Sequence, residues 1–390
     1  MMQIRHAKRG FRRTPLPAWR WPLVLLLLMV ALPITPATIV RAQPATPSLS
    51  CEPLAVTSDV ATPSASSAGA RSTPPPAVEG EPIPVTIGYV PISIYAPLFV
   101  AEEKGYYAQH GLDVTLQAFA GGTDPIALTG SGELDFASVG AAPAFWNAVA
   151  LGLPIEIVAP AHAEASPVAT PLMISKEDCL SGAITSVEDL RGKSVAINAR
   201  GATEYWLAQA LAVGGLTLDD IDLQTIPFPE AVAALEGGAI DASMMGEPLA
   251  TLAEQQGVAV RLLADFPVQD IQPTAIIGNS DFLDEHPDAG TAFVTAYLQA
   301  VRDLTGSGFR EPENLAIIER YTSVPAELLA SSVPPVYFPN GEINEESLSR
   351  LQDFFRDRGQ LEYDDDIDPA TVINSNYVEA ALAAIGRYES

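Results

Sequence analysis

The sequence predicts an α/β protein of two related lobes, with parallel-rich sheets flanked by helices. Three observations predict it. From Val85 onward, short alternating strands are each followed by a short helix, with glycine and proline as punctuation, the pattern of βαβ units. One such unit occurs twice. Gly132-Glu133-Leu134-Asp135-Phe136-Ala137-Ser138 runs on to Pro143 and Gly152, and Gly238-Ala239-Ile240-Asp241-Ala242-Ser243 runs on to Pro248 and Gly257. The composition supplies the third: 390 residues, 48% hydrophobic and 18% charged, hold enough apolar side chains for two cores and too many for a disordered acidic chain.

The elements follow in order. Val85-Thr86-Ile87-Gly88-Tyr89-Val90 alternates as a strand, 97–104 reads as a helix stopped by Gly105, and 114–116 as a strand. Gly121-Gly122-Thr123-Asp124-Pro125 opens a helix, with Thr123 or Asp124 as cap and Pro125 in the first turn. Residues 134–139 form a strand, 142–150 a helix and 155–158 a strand. The second series places strands at 194–197, 222–226, 240–245 and 258–263, and helices at 203–213, 229–235 and 248–256. After a strand at 274–277 the chain turns helical: 287–304, with Phe293, Val294, Tyr297, Leu298, Val301 and Leu304 on one face, then 315–321, 326–331, 344–358 and 371–385.

The first segment reads as an address. Residues 1–42 hold seven bases and no acid, a ten-residue apolar run at 23–32 and Val40-Arg41-Ala42 as a cleavage site, the secretory pattern. An uncleaved anchor also fits the span from Trp21 to Val40, but Pro33 and Pro36 would break that helix. Residues 43–83 are rich in Pro, Ser, Ala and Thr without apolar periodicity, the composition of a disordered tether. Cys51 has three readings: lipid attachment after Ser48-Leu49-Ser50, a disulfide with Cys179 in an oxidising compartment, or a free thiol.

Charge and missing motifs exclude several classes. Lys plus Arg number 21 against 48 Asp plus Glu, a formal charge of −27, and residues 43–390 keep 14 bases against 48 acids, a charge of −34. Such a surface repels phosphate backbones, so no nucleic-acid partner is expected. Two cysteines and four scattered histidines give no metal-ligand spacing; Asp364-Asp365-Asp366 lacks the spacing of an EF-hand loop and reads as a solvated loop. No Gly-x-Ser-x-Gly and no phosphate-loop lysine occur. The expectation is therefore binding without catalysis, and neither cofactor nor metal.

Five motifs then carry a resemblance: Ala101-Glu102-Glu103-Lys104-Gly105-Tyr106-Tyr107 with Gly111-Leu112-Asp113-Val114; Gly121-Gly122-Thr123 with Gly132-Glu133-Leu134-Asp135; Ser186-Val187-Glu188-Asp189-Leu190-Arg191-Gly192-Lys193-Ser194-Val195-Ala196; Gly201-Ala202-Thr203-Glu204-Tyr205-Trp206-Leu207 with Ala210-Leu211 and Gly215-Leu216; and Gly238-Ala239-Ile240-Asp241-Ala242 with Glu247-Pro248. In this order, over roughly residues 84–385, the chain resembles the periplasmic binding proteins of ABC transporters in the nitrate/sulfonate/taurine/thiamine-precursor family. The resemblance implies a type II two-lobed fold with the ligand cleft between the lobes. It implies one lobe from 84–170 plus 277–390, a second from 171–276, and crossings near 167–175 and 272–278. It also implies a small-molecule ligand, a membrane permease as partner, an exported monomer, and lobe closure about the hinge. The alternatives on the same fold are a pyrimidine-forming or menaquinone-pathway enzyme, or a sensory receptor.

In parallel sheets, ligands sit beyond the strand carboxyl ends, where helix N-termini aim free N–H groups. The residues expected there are Tyr95, Gly121, Gly122, Thr123, Gly140, Ala141, His162, Arg200, Ala202, Thr203, Met245 and Glu247. Arg200 is the one cation among these loops, placed either to pair an anion or to balance an acidic surface. Thr203 is read as a helix cap, and Glu247 as a cap or a partner for a positive ligand group. Tyr95, Trp146, Tyr205 and Trp206 can stack a planar ring or pack in the core. Met244-Met245 stands where sulfonate binders often carry Trp, which argues against a sulfonate.

Overall fold

The structure is a computed structural model that describes residues 50–54, 81–164, 166–268 and 270–389, all within one compact unit. The expected export signal and most of the expected tether lie outside the described residues. Among the described residues ten strands form two sheets. The first joins β1 (Ile83–Tyr89), β2 (Leu112–Ala118), β3 (Phe136–Gly140), β4 (Ile155–Pro160) and the late strand β10 (Thr274–Asn279) in the order β2-β1-β3-β10-β4. The second joins β5 (Leu172–Ser175), β6 (Ser194–Ile197), β7 (Asp222–Thr225), β8 (Ala242–Met244) and β9 (Ala259–Leu263) in the order β7-β6-β8-β5-β9. The two orders are the same order. In each sheet four strands run parallel, and the fifth, which arrives from the other lobe, inserts antiparallel between the third of them and the outer strand.

The repeated Gly-x-x-Asp motif has a physical reason. Asp135 Oδ2 accepts the Thr86 N–H at 2.7 Å, and Asp241 Oδ2 accepts the Ser194 N–H at 2.8 Å. The backbone returns the bond in both places, Asp135 N to Thr86 O and Asp241 N to Ser194 O, each at 2.9 Å. Each aspartate thus ties the entry of its strand to the neighbouring strand, at Thr86 within β1 and at Ser194, the first residue of β6. The glycine before it, Gly132 or Gly238, sits at φ 77° or 67°, a conformation that L side chains avoid.

Among the described residues fourteen α-helices cover the sheets. The first lobe carries α1 (Ala96–Glu103), α2 (Tyr106–Gln109), α3 (Thr123–Gly130) and α4 (Pro143–Ala150). The second carries α5 (Lys176–Ser181), α6 (Ala202–Val213), α7 (Phe228–Glu236) and α8 (Leu249–Gln255). The chain then adds α9 (Ser280–Glu285), α10 (Pro287–Leu304), α11 (Pro312–Thr322), α12 (Ala326–Ser331), α13 (Glu345–Asp357) and α14 (Asn376–Ile385). Helix α10 starts at Pro287, which needs no N–H donor at a first turn, and buries Phe293 and Tyr297 against the first lobe; the Phe293 ring stacks on Phe136 of β3 with centroids 4.0 Å apart.

Three expectations are corrected. The stretch 167–175, read as a bare crossing, ends in the strand β5; its central position between β8 and β9 explains why all four residues are buried. The second crossing lies between Leu263 and Thr274, upstream of 272–278, because Thr274 already pairs with Gly140 in the first sheet. The helix expected over 371–385 begins only at Asn376, because Ile373 is drawn into a bridge with Ile157 on the outer strand β4.

The tether reading fails for residues 50–54. Cys51 is disulfide-bonded to Cys179 of α5, so its sulfur is not available to a lipid. The Leu54 N–H donates to Glu254 of α8 at 3.3 Å, and the Leu54 side chain packs with Ala169, Val333 and Val336.

Candidate functional site

Beyond the carboxyl ends of β3, β4 and β6 the two lobes meet. Glycine allows the approach. A Cβ placed on Gly201 would lie 3.5 Å from Ala142 Cβ and 3.7 Å from Pro143 Cδ across the cleft, and Gly201 holds φ 120°. A Cβ on Gly122 would lie 3.9 Å from the Gly140 nitrogen. Three helices begin here: α3 after Gly122, α4 after Ala142 and α6 after Gly201, and none has a side-chain cap. Their starts are neighbours through Gly140, Ala142 and Gly201, and each brings first-turn N–H groups without an intrahelical partner and a positive dipole end.

The back of this place is polar. The His162 N–H and Nδ1 lie 3.3 and 2.5 Å from Thr274 Oγ1, and burial lowers the imidazole's pKa to about 3, so the ring is neutral. Glu164, 3% exposed, accepts from Trp206 Nε1 at 2.6 Å, the Ala169 N–H at 2.6 Å and Thr170 Oγ1 at 2.9 Å. Burial raises its pKa against the lowering effect of those donors. Trp146 Nε1 on α4 and Asn198 Oδ1 after β6 are buried and have no hydrogen-bond partner among the described residues. A ligand with both donors and acceptors would complete them.

The expected residues divide. Gly121, Gly122, Thr123, Gly140, Ala141, His162 and Ala202 lie on the meeting loops and helix starts. Thr203 lies inside the first turn of α6 and does not cap it; the cap position belongs to Gly201. Arg200 is exposed, and its Nη1 donates to Glu204 at 3.2 Å. Tyr95 is buried in the apolar core of the first lobe, and burial pushes its hydroxyl pKa up. Met245 is fully buried in the core of the second lobe with Met173 and Leu235. Glu247 is held by Arg261 Nη2 at 2.7 Å, Thr251 Oγ1 at 3.0 Å and the Thr251 N–H at 3.1 Å. Trp206, which had a core reading and a stacking reading, spends its N–H on Glu164. Glu164 was missed; a lone carboxylate in the apolar stretch 161–169 was the available signal.

The sequence pattern of the NMT1-like family matches residues 79–318, more than half of the chain. The chain belongs to the NMT1-like family. Among curated proteins it is similar to the bicarbonate transport ATP-binding protein CmpC of Synechococcus elongatus, 29% identical over 271 residues, which are 65% of this chain and 40% of that protein. The chain thus spans less than half the length of that relative. Solved structures extend the likeness to the fold. The periplasmic nitrate-binding protein NrtA from Synechocystis superposes with a TM-score of 0.64 at 19% identity, over 78% of this chain and 90% of that one. The periplasmic aliphatic sulphonate-binding protein SsuA from Escherichia coli gives 0.62 at 19%, over 79% and 94%. The desulfurization enzyme DszB gives 0.56 at 14%, over 77% and 99%. The type II periplasmic-binding-protein fold and the family resemblance read from the motifs both stand.

Proposed function

We propose that this NMT1-like chain is an extracytoplasmic receptor that closes its two lobes around a small solute and hands it to the permease of an ABC importer. The observation that carries the reading is the adjacency of three uncapped helix N-termini, those of α3, α4 and α6, contributed by both lobes. Such a place favours an oxyanion or a compact polar organic anion, because backbone N–H groups hold negative charge without a side-chain cation. Arg200 is committed to Glu204, which leaves the amides as the main anchor. The relatives act on bicarbonate, nitrate and sulphonates by name, all of them anions. Binding without turnover is part of the proposal, as is monomeric action. The Cys51–Cys179 disulfide supports an oxidising location outside the cytoplasm.

Thermal shift of the mature protein against bicarbonate, nitrate, taurine, alkanesulfonates and pyrimidines tests the reading. A true ligand at 100 times its Kd adds about 2.7 kcal/mol of stability. Gly201→Ala, which forces a side chain into φ 120° beside Ala142, should weaken that ligand at least tenfold. No shift with any of them, together with turnover of one, would instead favour an enzyme on this fold.

A further inference from the structure

Helix α13 and the turn after it occupy an unusual position. They lie beyond the part of the chain that the family pattern matches, which ends at 318. The apolar face of α13 (Leu348, Leu351 and Phe355) joins one continuous buried cluster with Phe145 and Trp146 of α4 and with Tyr205, Trp206 and Leu207 of α6. The Phe354 ring meets Tyr205 edge-on at 5.2 Å. Polar bonds then reach both lobes from one short stretch. Toward the second lobe, Arg358 Nε donates to Glu204 Oε1 at 2.9 Å and Gln360 Nε2 to Glu204 Oε2 at 2.6 Å. Toward the first lobe, Asn147 of α4 donates from Nδ2 to the Gln360 carbonyl at 3.4 Å and accepts the Glu362 N–H at 2.9 Å.

The ends of this stretch are fixed elsewhere. Before it, Ser347 Oγ accepts the Gln272 N–H at 2.7 Å, and Gln272 Nε2 donates to the Glu342 carbonyl at 2.7 Å, which holds the start of α13 on the second crossing. After it, Ile373 bridges to Ile157 of β4 in the first lobe. The Glu204 side chain is completely buried, so parting from Arg358 and Gln360 leaves a carboxylate in the apolar cluster with only the exposed Arg200 beside it.

We propose that α13 and residues 358–362 form a clasp that holds α4 and α6 together, so that the cleft rests closed without solute and must be unfastened for solute to enter. Opening separates α4 from α6 and strips Glu204 of its partners, Asn147 of its partners, or both. The clasp rests on the two-lobed receptor reading, but its test uses no solute, so the two can fail separately.

The test is a distance measurement between spin labels on the full exported chain, ligand-free, at Leu151→Cys on the end of α4 and Val213→Cys on the end of α6. These side chains are 75% and 51% exposed, and the native cysteines are bonded to each other. The unaltered clasp gives one narrow distance. Arg358→Ala/Gln360→Ala should lengthen and broaden it. Asn147→Ala should do the same while leaving every partner of Glu204 in place, and it decides the matter if the first variant does not fold. A lowered Tm with an unchanged distance in Asn147→Ala would overturn the clasp and leave the contacts merely structural.

Discussion

The two lobes share a strand order, yet corresponding positions do different things. Before the proline that opens the helix after the third strand, the first lobe has Ala142 and the second has Glu247. Three residues into the outer strand, the first lobe has Ile157 in β4 and the second has Arg261 in β9. In the second lobe these two join Glu254 in a buried ion cluster, with Arg261 at 2.7 Å from Glu247 and 3.1 Å from Glu254. In the first lobe the same places are apolar, and the start of α4 is left open to the cleft. One copy of the repeat has its helix start tied up by charged partners and by the Val333 N–H at 3.4 Å, while the other lies open at the candidate site. Sheet topology therefore says where a loop points, and single side chains decide whether it stays available.

The largest test of this contrast removes the lock. Arg261→Ile leaves two buried carboxylates without their cation and should cost about 3–5 kcal/mol in urea unfolding. Glu247→Ala/Arg261→Ile, which copies the first-lobe pair, should recover a large part of that loss, because one of the two stranded charges is gone. Equal losses in the single and double variants would show that the cluster is not a unit.

A smaller effect separates the paired aspartates. Burial raises the pKa of Asp135 in spite of its bond from Thr86, whereas at Asp241 the hydrogen bonds from Ser194 and Lys193 outweigh burial and lower it. Asp241→Asn, which replaces an oxygen facing Lys193 or Ser194 with an amide, should cost about 1–2 kcal/mol, and Asp135→Asn under about 1 kcal/mol. Matching losses would mean that the two aspartates do the same work.

The smallest effect is read in pH. His162 titrates near 3 when folded against 6.5 in an open chain. Between those values the unfolded chain takes up a proton that the folded chain refuses, so stability falls as pH drops below about 6.5. Glu164, whose pKa is raised above 4.5, acts in the opposite direction from that value upward. The difference between wild type and His162→Asn isolates the histidine: the variant should lose less stability than wild type between pH 6.5 and about 5. Parallel pH profiles would place His162 in contact with water.

Much of the fold was legible because it is local. Helices α10 and α12 start and stop where proline, periodicity and the last apolar residue say they should. The Gly-x-x-Asp motif announced both lobes because it is solved by backbone groups near at hand. What escaped the sequence depends on long-range partners. Strand β5 is only four residues long and becomes a strand by insertion between β8 and β9. Glu247 read as a cap or a ligand contact because its cation stands on another strand, and Arg200 read as an anion partner or a surface balance because Glu204, one turn away, carries no sign that it is buried. Glu204 itself is explained by residues more than 150 positions downstream.

The Cys51–Cys179 disulfide has a mechanical consequence. Whatever tension reaches this protein from the N-terminal side of Cys51 passes through the sulfur bridge into α5 and the second lobe. The first sheet is entered only at Ile83, downstream of that bridge, so the second lobe takes the pull first.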